Sequence, residues 1–251
     1  MALDPASTQS GGKTIYGATV GILMLETRFP RIPGDMGNAL TWPFPVQYRV
    51  VRGASPDKVV RGDPTELLDA FIEAGRDLVA SGCDGITTNC GFLALVQNEL
   101  RTALGVPVVT SSLMQVPMVQ ALLPRGKQTV ILTISKATLT KAHLVAAGVS
   151  VDTPIYGTDQ GRCFTRDVLG DAPRIDFDAC RLDMLAAADE ILKCTPDAGA
   201  IVLECTNMVP YAADIRKRTG LPVYSIYSMI NWFQAGLLPR RFPSGLDDPR
   251  V

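Results

Sequence analysis

An ungapped internal repeat constrains the fold of this chain more than any single motif does. Residues 84–110, DGITTNCGFLALVQNELRTALGVPVVT, lie over residues 199–225, GAIVLECTNMVPYAADIRKRTGLPVYS. The offset is a constant 115 residues, the separation of Cys90 from Cys205. Ile86 meets Ile201, Arg101 meets Arg216, and Gly105, Pro107 and Val108 meet Gly220, Pro222 and Val223. Each copy reads as a short strand, a cysteine, a helix closed by a glycine C-cap, and an X-Pro pair opening the next strand. A duplicated α/β unit is the simplest fold that repeats this order.

The rest of the chain alternates strand-like and helix-like segments, the pattern of α/β folds with parallel sheets. ATVGILML (18–25) and QTVILTI (128–134) are apolar strand candidates that open each half. Asp63, with Pro64 behind it, caps a helix, and 176–193 is an amphipathic helix with Phe177, Cys180, Met184, Ala188 and Ile191 inward. The expected architecture is two pseudo-twofold-related lobes, each a parallel sheet flanked by helices, with the active site in the cleft between them. Lobe one takes 14–113 plus the C-terminal helix 226–238, and lobe two takes 114–225. Residues 1–13 and 239–251 read as disordered or irregular tails, and substrate specificity is expected from loops 26–53 and 153–173.

Composition narrows the function. A chain of 251 residues with 47% hydrophobic and 20% charged residues can bury a substantial core. A net charge of −1 argues against nucleic-acid or anionic-membrane partners, and no apolar run is long enough to span a bilayer. The N-terminal residues lack the pattern of a secretory signal, so the expected location is cytoplasmic. Six irregularly spaced cysteines without a C-x-x-C, and a single histidine, His143, exclude a recognisable zinc site. His143 reads as a helix-surface residue.

The repeat puts Cys90 and Cys205 at equivalent strand ends, where open parallel sheets bind ligands. Facing lobes would set the two thiols on opposite walls of one cleft. A cysteine at a helix start sits in the positive end of the dipole, which lowers its pKa. The N–H groups of Gly91 and Phe92, or of Thr206 and Asn207, would cradle a carboxylate. A carbon acid between the thiols would lose a proton to one and gain one from the other, with neither metal nor organic cofactor.

ITTNCGF and VLECTNM, with the lobe layout, resemble the aspartate/glutamate racemase superfamily. The resemblance implies a cofactor-independent, pyridoxal-phosphate-independent isomerase with Cys90 and Cys205 as catalytic residues. CTN at 205–207 matches the second motif of that family. The first motif departs from the usual Cys-Asn-Thr, with Asn89 before Cys90 and Gly91 and Phe92 after it, and Glu204 stands where glycine commonly precedes the second cysteine. CTN is shared with maleate cis–trans isomerases, and Cys-Gly is similar to the hydantoin racemase motif. The expected function is therefore racemisation or epimerisation of a small carboxylate or amino-acid-like substrate. A maleate-type isomerase, a hydantoin racemase and a two-lobed binding module are the alternatives. Thr88 and Asn89 flank the first thiol as substrate contacts. Arg28 or Arg31, in the loop after the first strand, would clamp a second carboxylate, and Ser135 or Thr138 would serve from the matching loop of lobe two. The expected partner is the small-molecule carboxylate itself, with homo-oligomer formation left open.

Overall fold

The computed structural model describes residues 11–242. The parts of the two tails at 1–10 and 243–251 lie outside these described residues. Among the described residues, eight strands form two four-stranded sheets. The first contains β1 (Val20–Leu25), β2 (Val46–Val51), β3 (Gly85–Thr88) and β4 (Val108–Val109) in the order β2-β1-β3-β4. The second contains β5 (Gln128–Thr133), β6 (Ile155–Gly157), β7 (Ala198–Leu203) and β8 (Val223–Tyr224) in the order β6-β5-β7-β8. Every pairing is parallel, and the two sheets share one topology. The helices are α1 (Pro56–Val60), α2 (Leu68–Ser81), α3 (Gln97–Leu104), α4 (Val116–Leu122), α5 (Lys141–Ala146), α6 (Phe164–Leu169), α7 (Phe177–Cys194), α8 (Ala212–Thr219) and α9 (Ile226–Leu237).

The repeat survives in three dimensions residue for residue. After each cysteine comes a 3₁₀ segment, Gly91–Val96 or Thr206–Tyr211, before α3 or α8 begins. Both helices end on a left-handed glycine, Gly105 at φ 65° and Gly220 at φ 72°, a conformation a side chain would strain. The expected α-helix directly after each cysteine is thus a 3₁₀ turn first, as is Pro64–Leu67 ahead of α2. Segments 26–53 and 153–173 are not loops throughout: they carry the edge strands β2 and β6 and helix α6.

Strands buried on both faces read as unbroken apolar runs. Along β1 the faces alternate: Val20, Ile22 and Met24 pack with Ile226, Ile230 and Phe233 of α9. Leu23 and Leu25 point into a second, larger core. That core is continuous from Phe71 and Leu78 of α2 to Met184 and Ile191 of α7, so the apolar interior crosses from one sheet to the other. Polar ties reinforce the junction. The Ser112 hydroxyl donates to the Leu203 carbonyl at 2.6 Å, and the Thr206 hydroxyl donates to the Asn89 carbonyl at 2.6 Å.

Candidate active site

In each sheet the strand order reverses between the first and third strands, at β1/β3 and at β5/β7. The crevices beyond the carboxyl ends of those strands are the ligand positions of open α/β sheets. Here the two crevices face each other and merge into one cavity. Leu25, Thr27, Phe29 and Arg31 after β1, and Asn89, Cys90, Gly91 and Phe92 after β3, form one wall. Ile134 after β5, and Glu204, Cys205, Thr206 and Asn207 after β7, form the other. Pro56 and Val60 of α1, with Val168 and Leu169 of α6, close the remaining side.

The cavity thus brings together Asn89, Cys90, Gly91, Phe92, Cys205, Thr206 and Asn207. Four expected contacts are elsewhere, Thr138 among them. Arg28 has a side chain 74% exposed and is held by Asp171 at 3.0 Å, because the loop after β1 turns its Arg31 inward instead. Thr88 spends its hydroxyl on the strand end, donating to the Thr110 carbonyl at 2.7 Å. Ser135 is buried in its own turn, where its carbonyl accepts the Leu139 N–H, and it does not line the cavity. His143 is buried rather than on a helix surface: its ring meets Phe92 edge-on at 5.0 Å and accepts from the Thr140 N–H.

Arg31 is the cation of the site. It pairs with Asp35 at 2.7 Å, donates to the Thr27 hydroxyl at 2.9 Å, and lies 4.4 Å over the Phe29 ring. Asp35 also accepts from the Asn207 side-chain amide, which joins the loop after β1 to the second cysteine motif. With two of its five N–H donors engaged by side chains, Arg31 keeps donors for a carboxylate. Sequence reasoning weighed Arg31 as Arg28's equal, and missed Asp35, Phe29 and the apolar closure from α1 and α6. No local pattern marks those residues, since only tertiary packing brings them to the wall.

The thiols are not activated at rest. Burial pushes Cys90 up to about 12, and the Glu204 carboxylate adds to the rise. The N–H groups of Phe92 and Leu93 and the charge of Arg31 oppose it without winning. Burial likewise raises Cys205 well above the ordinary thiol value, with Glu204, Cys90 and Asp35 all acting in the same direction. The lowered pKa expected from the helix dipole is therefore overturned: dehydration of the thiolate costs more than the N–H groups at the start of the 3₁₀ segment return. The Cys205 thiol donates to Asn207 Oδ1 at 3.6 Å. Glu204 is fully buried, and burial lifts its carboxyl to about 7 against hydrogen bonds from the Thr133 hydroxyl and the Ile134 N–H. One of its oxygens, Oε1, has no hydrogen-bond partner among the described residues. Gly91 allows this approach: a Cβ there would fall 2.2 Å from Oε1.

Among the described residues no group of three or more His, Cys, Asp or Glu could hold a metal ion, and no helix is long and apolar enough to cross a membrane. No protein-family model matches the chain. The structure is similar to unliganded arylmalonate decarboxylase, with a TM-score of 0.56 at 15% identity over 88% of this chain and 92% of that one. It is similar to allantoin racemase from Klebsiella pneumoniae, with a TM-score of 0.58 at 18% identity over 92% of this chain and 97% of that one. Aspartate racemase of Picrophilus torridus gives a TM-score of 0.56 at 14% identity, over 88% of this chain and 95% of that one. These likenesses show the fold. In sequence, the chain is 30% identical over 243 residues to the dimethylsulfoniopropionate lyase of Durusdinium sp. clade D, covering 93% of this chain and 79% of that protein. It is 30% identical over 231 residues to dimethylsulfoniopropionate lyase 7 of Emiliania huxleyi (strain CCMP1516), covering 88% of this chain and 67% of that protein. The isomerase expected from the motif pair thus meets relatives that are named as lyases. On the fold of the aspartate/glutamate racemase superfamily, the chain belongs to the family of the dimethylsulfoniopropionate lyases.

Proposed function

We propose that the protein is a lyase that splits a β-sulfonio carboxylate, dimethylsulfoniopropionate, into dimethyl sulfide and acrylate. A base takes a proton from the carbon next to the carboxylate. The C–H electron pair becomes the carbon–carbon double bond, and the β-carbon–sulfur bond breaks with its electrons going to sulfur. Dimethyl sulfide leaves neutral, and the proton passes from the base to solvent. The substrate carboxylate is held by the free donors of Arg31 and by the Asn89 side-chain amide, which withdraws charge from the carbon acid.

The observation that carries this reading is the inequality of the two thiols. Burial and the Glu204 carboxylate raise both thiols, but Cys90 has the positive charge of Arg31 and the N–H groups of Phe92 and Leu93 against them, whereas Cys205 has only the Asn207 N–H and is raised further by Cys90 and Asp35. Cys90 is therefore the base. A bound sulfonium beside it favours the thiolate and offsets part of the burial cost. Cys205 stays a thiol, its one S–H donating to Asn207 Oδ1. Elimination needs only one base, because the electron pair leaves with sulfur. Racemisation needs two that exchange roles. It remains the second reading, supported by the two thiols lining one cavity. The names of the relatives weigh against a non-catalytic binding module.

The test is to incubate the purified full chain with dimethylsulfoniopropionate and measure dimethyl sulfide in the headspace and acrylate in solution. Equimolar release supports the reading. No release, together with inversion of a chiral amino acid or hydantoin, would replace it by the racemase.

A further inference from the structure

We infer that Glu204 is the specificity determinant of the cavity, its carboxylate the countercharge that selects carboxylates bearing an onium cation over uncharged ones of the same shape. This rests on the lyase reading for the identity of the onium substrate. Three observations lead to it.

Glu204 lines the cavity and is fully buried, and its Oε1 lacks a partner among the described residues. An unpaired carboxylate oxygen inside a protein is costly unless something binds it. The internal repeat then separates what this side chain does for the fold from what it adds. Its equivalent in lobe one is Asn89, whose Oδ1 accepts the Leu25 N–H at 2.7 Å from the end of β1. Glu204 Oε2 meets the matching end of β5, accepting from the Thr133 hydroxyl at 2.7 Å. A neutral amide does the structural work in one lobe, so the charge in the other is surplus to it. Finally, the free oxygen rests against Gly91, next to Cys90, with Cys205 as its own chain neighbour. Arg31, by contrast, comes from the loop after β1 and is already balanced by Asp35 at 2.7 Å. The cavity wall therefore offers both N–H donors to a carboxylate and a buried negative charge to a cation.

The test uses two unreactive probes. 3-(Trimethylammonio)propanoate carries the onium but cannot release dimethyl sulfide, and 4,4-dimethylpentanoate keeps its shape with a neutral carbon in place of the charged nitrogen. Calorimetric dissociation constants are measured for the wild-type full chain and for Glu204→Gln and Glu204→Asp at pH 8. The wild type should prefer the onium probe by about tenfold or more, as expected for a desolvated charge pair. Glu204→Gln should lose that preference while binding 4,4-dimethylpentanoate at least as well, and Glu204→Asp should keep part of it. Equal weakening of both probes in Glu204→Gln, or no preference in the wild type, overturns the inference. If Glu204→Gln does not fold, the wild-type ratio and the Asp variant decide. Onium preference without dimethyl sulfide release would sink the lyase reading alone. Release with an unchanged preference in Glu204→Gln would sink the countercharge alone.

Discussion

Cys90 and Cys205 show how far a single residue can be read without its neighbours. Their equivalence follows from the repeat, and both line the cavity. Their protonation state does not follow, because it depends on how much water the other lobe removes. Burial raises Cys90 to about 12, so its alkylation by iodoacetamide, followed at the Cys90 peptide by mass spectrometry, should keep accelerating above pH 9. A plateau near pH 7 would mean a thiolate at rest. Arg28 and Arg31 pose the same problem in charge. Both lie in ETRFPRIPGD, and only the folded loop turns Arg31 inward to Asp35 and leaves Arg28 outside on Asp171. Arg31→Lys keeps the charge but loses the planar fork, and should raise KM for the substrate by about tenfold or more with a smaller change in kcat. An unchanged KM would remove Arg31 from carboxylate binding.

At the level of elements, β1, β5 and β7 were legible because buried parallel strands carry runs of apolar residues, β3 (GITT) because its Ile-Thr-Thr is β-branched, and α7 because its inward positions keep helical spacing. The edge strands β2 and β6 were not. Most of VQYRVV is partly or wholly exposed, and β6 is only three residues, so neither leaves an apolar signature. The 3₁₀ turns after both cysteines were also hidden, since sequence spacing hardly separates a tight turn from the first turn of an α-helix. Those turns let the lobes pack closely, and Gly91 lies directly against Glu204 at the junction. Gly91→Ala would bring a Cβ within 2.6 Å of the Glu204 backbone carbonyl, which cannot swing away as a side chain can. The variant should lose about 1–3 kcal/mol of stability, read as a lower Tm, together with most of its activity. Wild-type Tm and turnover in Gly91→Ala would contradict this packing.

For the whole molecule, the buried carboxyl of Glu204 links stability to pH. Its folded value of about 7 stands above the ordinary 4.5, so the folded state holds this proton more tightly than the unfolded chain does. That contribution is complete below about pH 4.5 and is lost as pH rises through about 7. Glu204→Gln removes the ionisation, so its stability relative to wild type should improve from pH 5 to pH 8, by on the order of 3 kcal/mol at most. Denaturant midpoints of the two proteins that shift in parallel with pH would contradict the burial of a titrating carboxyl. A site that costs the fold stability in its active pH range is the usual sign of selection for function. The most direct test of elimination by one unequal thiol is the rate of dimethyl sulfide release by Cys90→Ala and Cys205→Ala proteins side by side. Loss of the base in Cys90→Ala should cost about 10²–10⁴-fold or more, while Cys205→Ala keeps a measurable rate well above it. Full activity in Cys90→Ala, or activity lost only in Cys205→Ala, would contradict Cys90 as the base.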